Sequence, residues 1–146
     1  MRRPILELQR VWKTYRIGEN EVHALREVSL QIHTGEFVAV VGPSGSGKST
    51  MMNLLGCLDI PTKGVVLLDG QNIAHLSESR LAAIRGRMIG FIFQQFNLIP
   101  TLTAFENVTL PMLFQGVSVS QRQTVGQRLL TQFGLHERGH HKPSEL

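Results

Sequence analysis

The sequence predicts an α/β fold in which strands dominate up to residue 95 and helices follow. Three observations support this prediction. Residues 42–49 read Gly-Pro-Ser-Gly-Ser-Gly-Lys-Ser and lie between an apolar strand candidate and a helix candidate. The Asp69-Gly70 pair separates two short runs and predicts a hairpin, because it supplies the positive φ angles of a two-residue turn. Beyond residue 95, apolar residues recur at helical spacing.

The predicted strands are short runs of apolar or alternating residues bounded by turn residues. Thr34-Gly35 predicts the turn between the second and third of these runs. The candidates are residues 5–15, 28–32, 37–41, 64–68, 71–73 and 89–93.

Four helices are predicted from caps and periodicity. One begins near Lys48, and a second, capped by Ser77, extends to about Arg85 and ends at Gly86. A third opens with the Thr103–Glu106 capping box and is disturbed by Pro111. The fourth ends at Gly134 and presents one apolar face, made of Val125, Leu129, Leu130 and Phe133.

Residues 42–49 match the phosphate-binding pattern G-x-x-x-x-G-K-[ST] at every fixed position. The glycines allow a tight turn that brings backbone N–H groups onto phosphate oxygens, and the following helix directs its positive end at the same charge. Lys48 reaches the β- and γ-phosphates, while the Ser49 hydroxyl is suited to Mg²⁺. The predicted nucleotide contacts in this segment are Gly42, Pro43, Ser44, Gly45, Ser46, Gly47, Lys48, Ser49 and Thr50.

Composition indicates a globular cytoplasmic protein that does not bind nucleic acid. Hydrophobic residues make up 42% and charged residues 18% of the chain, and the formal net charge of +4 is scattered rather than clustered. A single cysteine, Cys57, excludes an internal disulfide. No apolar run reaches the length that a membrane span needs, so membrane association is expected only through a partner.

The histidines near the C-terminus are a weak metal-site candidate. His136 and His140 are spaced i, i+4, and His141 follows directly. Gly139 and the lack of a neighbouring cysteine or carboxylate pair favour an exposed polar loop instead.

Segments around the phosphate loop resemble the nucleotide-binding domain of an ABC transporter. Within that family they are similar to the lipoprotein-release, macrolide-export and cell-division branch. The segments are VHALREVSL at 22–30, GEFVAVVGPSGSGKST at 35–50, LDIPTKG at 58–64, IGFIFQQFNLIP at 89–100 and ENVTLP at 106–111.

The resemblance implies the fold, an ABC-type P-loop NTPase. Residues 1–95 would form an antiparallel β subdomain plus the phosphate-loop part of the core, with an incomplete core sheet. Residues 96–146 would form part of a helical subdomain. The implied ligands are ATP and Mg²⁺. The implied partners are a transmembrane permease subunit, which would hold the chain at the inner face of the cell membrane, and a second ATP-binding domain that pairs with it when ATP binds.

Two further site residues follow from the resemblance. Tyr15 matches the aromatic residue that stacks on adenine, although a tyrosine at a strand end also commonly packs half-buried without a ligand. Gln94 matches the glutamine that approaches Mg²⁺ and the attacking water, with Gln95 as the neighbouring alternative. In this reading Lys48 and Gln94 are the catalytic residues, and Ser49 and Gln94 are the metal ligands.

The chain ends at Leu146, before the position where the family continues into a Ser-Gly-Gly-Gln signature, acidic residues and a switch histidine. Asp59 and Asp69 are turn residues and do not replace those acids. We therefore expect an ATPase by family whose 146 residues alone have little or no turnover. Two alternatives remain: a non-catalytic nucleotide-binding or interaction protein, and a small-molecule P-loop kinase, which the Pro-Thr-Lys-Gly turn disfavours.

Overall fold

The computed structural model describes residues 3–146, which form two compact units. One unit extends to Gly90, and the other comprises Phe91–Leu146. Among the described residues, no helix is both long and apolar enough to cross a membrane.

The first unit contains an antiparallel sheet. Its strands are β1 (Leu6–Ile17), β2 (Asn20–Ile32), β3 (Lys63–Leu68) and β4 (Gln71–Asn72), in the order β2-β1-β3-β4. Each neighbouring pair is antiparallel, which confirms the predicted antiparallel β subdomain. β2 begins eight residues before the predicted strand, because the polar stretch from Asn20 pairs with β1 although it lacks a clear alternation.

The predicted hairpin is confirmed. Asp69 and Gly70 have φ angles of 45° and 72°, the positive values that a two-residue turn requires. β4 ends at Asn72, one residue before the predicted limit, because buried Ile73 starts a 3-10 turn, Ile73–His75, which the Asn72 side chain caps.

Two helices belong to this unit: α1 (Lys48–Leu55) and α2 (Glu78–Met88). Ser77 caps α2 as predicted, with its hydroxyl accepting from the Arg80 N–H. The predicted end at Gly86 is wrong, since the helix continues to Met88. Gly86 does not adopt the left-handed conformation that ends a helix, and the extended residue Ile89 follows instead.

The core of the first unit lies between the sheet and the two helices. Its buried residues include strand, helix and loop positions: Leu8, Val11, Leu25, Leu54, Leu55, Cys57, Val66, Leu68, Ile73, Leu81 and Ile84. In β3, Val66 and Leu68 are buried whereas Val65 and Leu67 are half-buried, because alternate side chains of a strand point to opposite faces and one face meets the core.

Residues 37–41 and 89–93 were predicted to be strands, but neither forms one. Phe37 is 98% exposed and Ile92 fully so. A strand requires a neighbour with which to share ladder hydrogen bonds, and within residues 3–146 neither run has one. The core sheet is therefore incomplete, as predicted.

The second unit is helical, with α3 (Ala104–Phe114), α4 (Val119–Gln132) and two 3-10 turns, His136–Arg138 and Pro143–Glu145. The Thr103–Glu106 capping box is confirmed, and α3 continues through Pro111. Gly134, with φ of 71°, follows the end of α4 as predicted. Phe133 does not belong to the buried face, because it lies at the end of α4 and is 73% exposed, whereas Leu130 is buried.

Candidate functional site

The phosphate loop connects residues 37–41 to α1 through a tight glycine-dependent path. Gly45 and Gly47 have φ angles of 78° and 89°, which glycine adopts without steric cost. A Cβ atom at Gly47 would also overlap the carbonyl oxygen of Ala24 in β2. The loop backbone is thus fixed both by its own geometry and by close packing against the sheet.

Lys48 turns its ammonium group back onto the loop. Its Nζ atom donates to the carbonyl oxygens of Gly42 at 2.9 Å and Pro43 at 2.7 Å, and the residue is half-buried. An ammonium group has three donors, so one remains for an anion. The positive charge is therefore held against the backbone of the loop.

The N-terminus of α1 is open to an anion. Within the described part of the chain no side chain caps it, and its first turn contains no acidic residue. Its first N–H groups lack intrahelical partners, so they can serve as donors to phosphate oxygens. Ser49 is exposed in this first turn, as are Pro43, Ser44 and Ser46 in the loop, whereas Thr50 is half-buried.

Tyr15 lies near the end of β1, and its hydroxyl donates to Asp59 Oδ2 at 3.0 Å. Asp59 Oδ1 accepts from Lys13 Nζ at 2.5 Å and from the backbone N–H of Ile60 at 2.7 Å. Lys13 Nζ also lies over the Tyr15 ring, 5.0 Å from its centroid. We call Lys13, Tyr15 and Asp59 the Tyr15 cluster.

The electrostatics of the cluster follow from these contacts. Burial raises the pKa of Asp59, but the hydrogen bonds from Lys13, Ile60 and Tyr15 outweigh it and leave the pKa below its ordinary value. Burial and the Asp59 carboxylate raise the pKa of Tyr15, with the Thr50 side chain acting in the opposite direction. Asp59 is thus a carboxylate and Tyr15 a neutral phenol at neutral pH.

Gly47, at the end of the loop, packs against Ala24 of β2, and Val22, two residues earlier on β2, is paired with Tyr15 of β1. The first unit therefore brings the aromatic candidate and the phosphate loop to one region. Gln94 and Gln95 belong to the second unit, where they form an exposed bend after Phe91 and Phe93, whose rings stack at 5.6 Å.

Sequence reasoning missed Lys13 and treated Asp59 only as a turn residue. The i, i+2 spacing of Lys13 and Tyr15 on β1 is a signal that both side chains share one face of the strand. Asp59 is 44 residues from Tyr15 in sequence, and no local pattern predicts that contact.

Few side chains of the described site could coordinate a metal cation. Among residues 3–146, no group of three or more histidine, cysteine or acidic side chains is placed to hold a metal ion. Asp59 is occupied by Lys13 and Tyr15. The exposed Ser49 hydroxyl fits Mg²⁺ only as one oxygen ligand beside phosphate oxygens, which is the way this cation commonly binds with nucleotides.

Comparison with known proteins identifies relatives across nearly the whole chain. The family model described as ABC transporter matches residues 25–146. The chain is 51% identical to an uncharacterized ABC transporter ATP-binding protein of Thermotoga maritima, over 97% of this chain and 61% of that protein. It is 52% identical to the macrolide export ATP-binding/permease protein MacB of Hyphomonas neptunium, over 98% of this chain and 22% of that protein.

The structure also resembles a solved ATP-binding cassette. A dimeric post-hydrolysis structure of the ATP-binding cassette MJ0796, bound to ADP and Pi, superimposes with a TM-score of 0.86 at 47% identity. The alignment covers 97% of this chain and 62% of that one. This chain therefore spans less than two thirds of the length of the relatives that it matches.

Proposed function

The chain belongs to the ABC transporter family, and from that premise we propose that it binds ATP for a transporter of the export type. The observation that carries the proposal is the phosphate loop, where the Lys48 ammonium is held against the carbonyls of a backbone whose turns depend on Gly45 and Gly47. The macrolide-export relatives support an export system over other classes.

In the proposed complex, the triphosphate occupies the loop. Backbone N–H groups within residues 44–50 would donate to the α- and β-phosphates, and the Lys48 ammonium would contact the β- and γ-phosphates. Ser49 contributes a hydroxyl oxygen to Mg²⁺, and this cation supplies charge neutralisation for the phosphate oxygens when it is bound. The third donor of the Lys48 ammonium, which the Gly42 and Pro43 carbonyls leave over, would serve the phosphate.

Tyr15 is proposed to stack on the adenine ring. Its place close to the phosphate loop supports this assignment, since Gly47 of the loop packs against Ala24 of β2 and the nearby Val22 is paired with Tyr15. Base–aromatic stacking contributes about 1 to 3 kcal/mol and tolerates any purine. Tyr15→Ala should therefore weaken ATP and GTP by similar factors.

Gln94 is proposed to approach Mg²⁺ and the attacking water, with Gln95 as the alternative, and to face a membrane permease. Its exposure in a bend before α3 is suited to both contacts. The permease fusion among the relatives and the dimeric cassette support two partners: a transmembrane subunit and a second ATP-binding domain. Such partners would hold the chain at the inner face of the cell membrane.

Turnover by the 146 residues alone is proposed to be weak or absent. Hydrolysis requires a positioned carboxylate or water-orienting group beside the γ-phosphate. Asp59, the carboxylate bonded to Tyr15, is already engaged by Lys13. The chain by itself is thus proposed to act as a nucleotide-binding module.

Titration calorimetry with Mg²⁺ and ATP tests this function. Lys48→Ala should weaken binding by about tenfold to a hundredfold, since a hydrogen bond to a charged group contributes about 1.5 to 3 kcal/mol. Lys63→Ala removes an exposed lysine from β3 and should leave the affinity unchanged. Equal ATP affinities for the wild-type chain and Lys48→Ala would refute the site.

A further inference from the structure

The Tyr15 cluster restrains the aromatic ring at its far end. A tyrosine ring in a protein is oriented by two side-chain torsions, and an exposed ring samples several rotamers. Here the hydroxyl is tied to Asp59 Oδ2 at 3.0 Å, opposite the attachment of the ring to β1. The ring is therefore held at both ends, by the strand and by the carboxylate.

Asp59 is itself firmly placed. Besides Tyr15, it accepts from Lys13 Nζ at 2.5 Å and from the Ile60 N–H at 2.7 Å. Lys13 also donates to the Ile60 carbonyl oxygen at 2.9 Å, so it joins β1 to the segment that follows α1. The Lys13 and Asp59 side chains are 12% and 24% exposed, which shields this ion pair from solvent.

The two faces of the Tyr15 ring are not equivalent. The Lys13 ammonium lies over one face, 5.0 Å from the centroid, at a distance typical of a cation–π contact. A flat ligand cannot stack on a face that this side chain covers. The opposite face is therefore the one that can receive a nucleobase.

We infer that Asp59 is a positioning residue for nucleobase binding: it holds the Tyr15 ring so that the face opposite Lys13 meets the base of the bound nucleotide. The inference rests on the proposed function and adds two residues to it. Restraining the ring before binding lowers the entropy lost on stacking, so Asp59 raises affinity without touching the ligand. Its effect is restricted to ligands that carry a base.

The test compares Mg²⁺–ATP with Mg²⁺–tripolyphosphate, which offers the phosphates but no base, by titration calorimetry. The wild-type chain should bind ATP at least about fivefold more tightly than tripolyphosphate. Asp59→Ala and Tyr15→Phe should each weaken ATP about three- to tenfold, and the double variant should weaken it no further than the stronger single variant. All three variants should bind tripolyphosphate as the wild type does.

Glu7→Ala is the matched control. This variant also removes a carboxylate from the first unit, where Glu7 accepts a hydrogen bond from Gln31. Glu7 lies eight residues before Tyr15 on β1, which is roughly 26 Å along an extended strand. The Glu7→Ala variant should bind ATP with the affinity of the wild-type chain. Fluorescence of Trp12, the single tryptophan, verifies that each variant is folded.

The possible results separate the inference from the proposed function. The inference would be overturned if Asp59→Ala and Tyr15→Phe reduced the affinity for ATP independently, so that their factors multiplied in the double variant. It would also be overturned if the variants lost equal affinity for ATP and for tripolyphosphate. Equal affinities of the wild-type chain for both ligands would overturn it too, while leaving the phosphate loop in place. Failure of the wild-type chain to bind either ligand would overturn the proposed function itself.

Discussion

Gly47 packs so closely against Ala24 that a Cβ atom at position 47 would overlap the Ala24 carbonyl oxygen. The same atom would lie 2.9 Å from Cδ2 of Leu25, a core residue that is 5% exposed. Gly47 also has a φ angle of 89°, a left-handed conformation that glycine adopts without steric cost. The end of the phosphate loop is thus fixed against β2 by a residue without a side chain.

Gly47→Ala should therefore destabilise the chain by about 2 to 4 kcal/mol, because strain at a positive φ angle adds to overpacking. Urea unfolding followed by circular dichroism measures this change. Gly45→Ala is the control, since its φ angle of 78° is also positive but a Cβ atom there meets nothing within 4 Å. It should cost about 1 kcal/mol, and equal losses for the two variants would contradict the packing argument.

The titration of Tyr15 reports on its carboxylate partner. Burial and Asp59 raise its pKa above the ordinary value of 10.0. Because Tyr15 is the single tyrosine, absorbance of the phenolate follows this residue alone. Asp59→Asn removes the negative charge, so the pKa of Tyr15 should fall toward 10.0. An unchanged titration midpoint would show that the two side chains do not interact in solution.

The acid stability of the chain should depend on Asp59. Its pKa is lowered in the folded state, so its contribution is present above the ordinary value of 3.8 and is lost as the pH falls through the lower folded value. Asp59→Asn should reduce the free energy of unfolding by about 1 to 2 kcal/mol at pH 7, since the Lys13 contact is partly shielded. Urea unfolding of both chains between pH 7 and pH 3 should show the difference shrinking toward acid. A constant difference would contradict this prediction.

Gly126 determines how closely α3 and α4 approach. A Cβ atom at Gly126 would lie 2.6 Å from Thr109 Cγ2 and 2.7 Å from Phe105 Cε2. Gly126→Ala gains up to about 1 kcal/mol of helix propensity, but overpacking costs about 1 to 3 kcal/mol, so we expect net destabilisation. Thermal unfolding measures the result. Gly90→Ala, where a Cβ atom meets no neighbour within 4 Å, should be nearly neutral, and a higher Tm for Gly126→Ala would show that the helices can move apart.

Local signals predicted several elements correctly. The Asp69-Gly70 hairpin, the Ser77 cap and the Thr103–Glu106 capping box all form as predicted, because each depends on residues within a few positions of one another. The phosphate loop and the start of α1 at Lys48 are equally local. The prediction for β2 was less accurate, because its first residues are strand only through pairing with β1. A local signal also failed once: Gly86 does not end α2, which continues to Met88.

The sequence by itself determined the phosphate loop and its helix, because the glycines, the lysine and the serine are encoded in consecutive residues. It also determined the family, because the segments around the loop carry the resemblance. Only the tertiary structure decided the surroundings of Tyr15, since Asp59 reaches its hydroxyl across 44 positions of chain. It also decided that residues 37–41 are not a strand, although their apolar run predicts one. The physical reason is the same in both cases: a hydrogen bond needs a partner in space, and no local pattern specifies a partner that is distant in sequence.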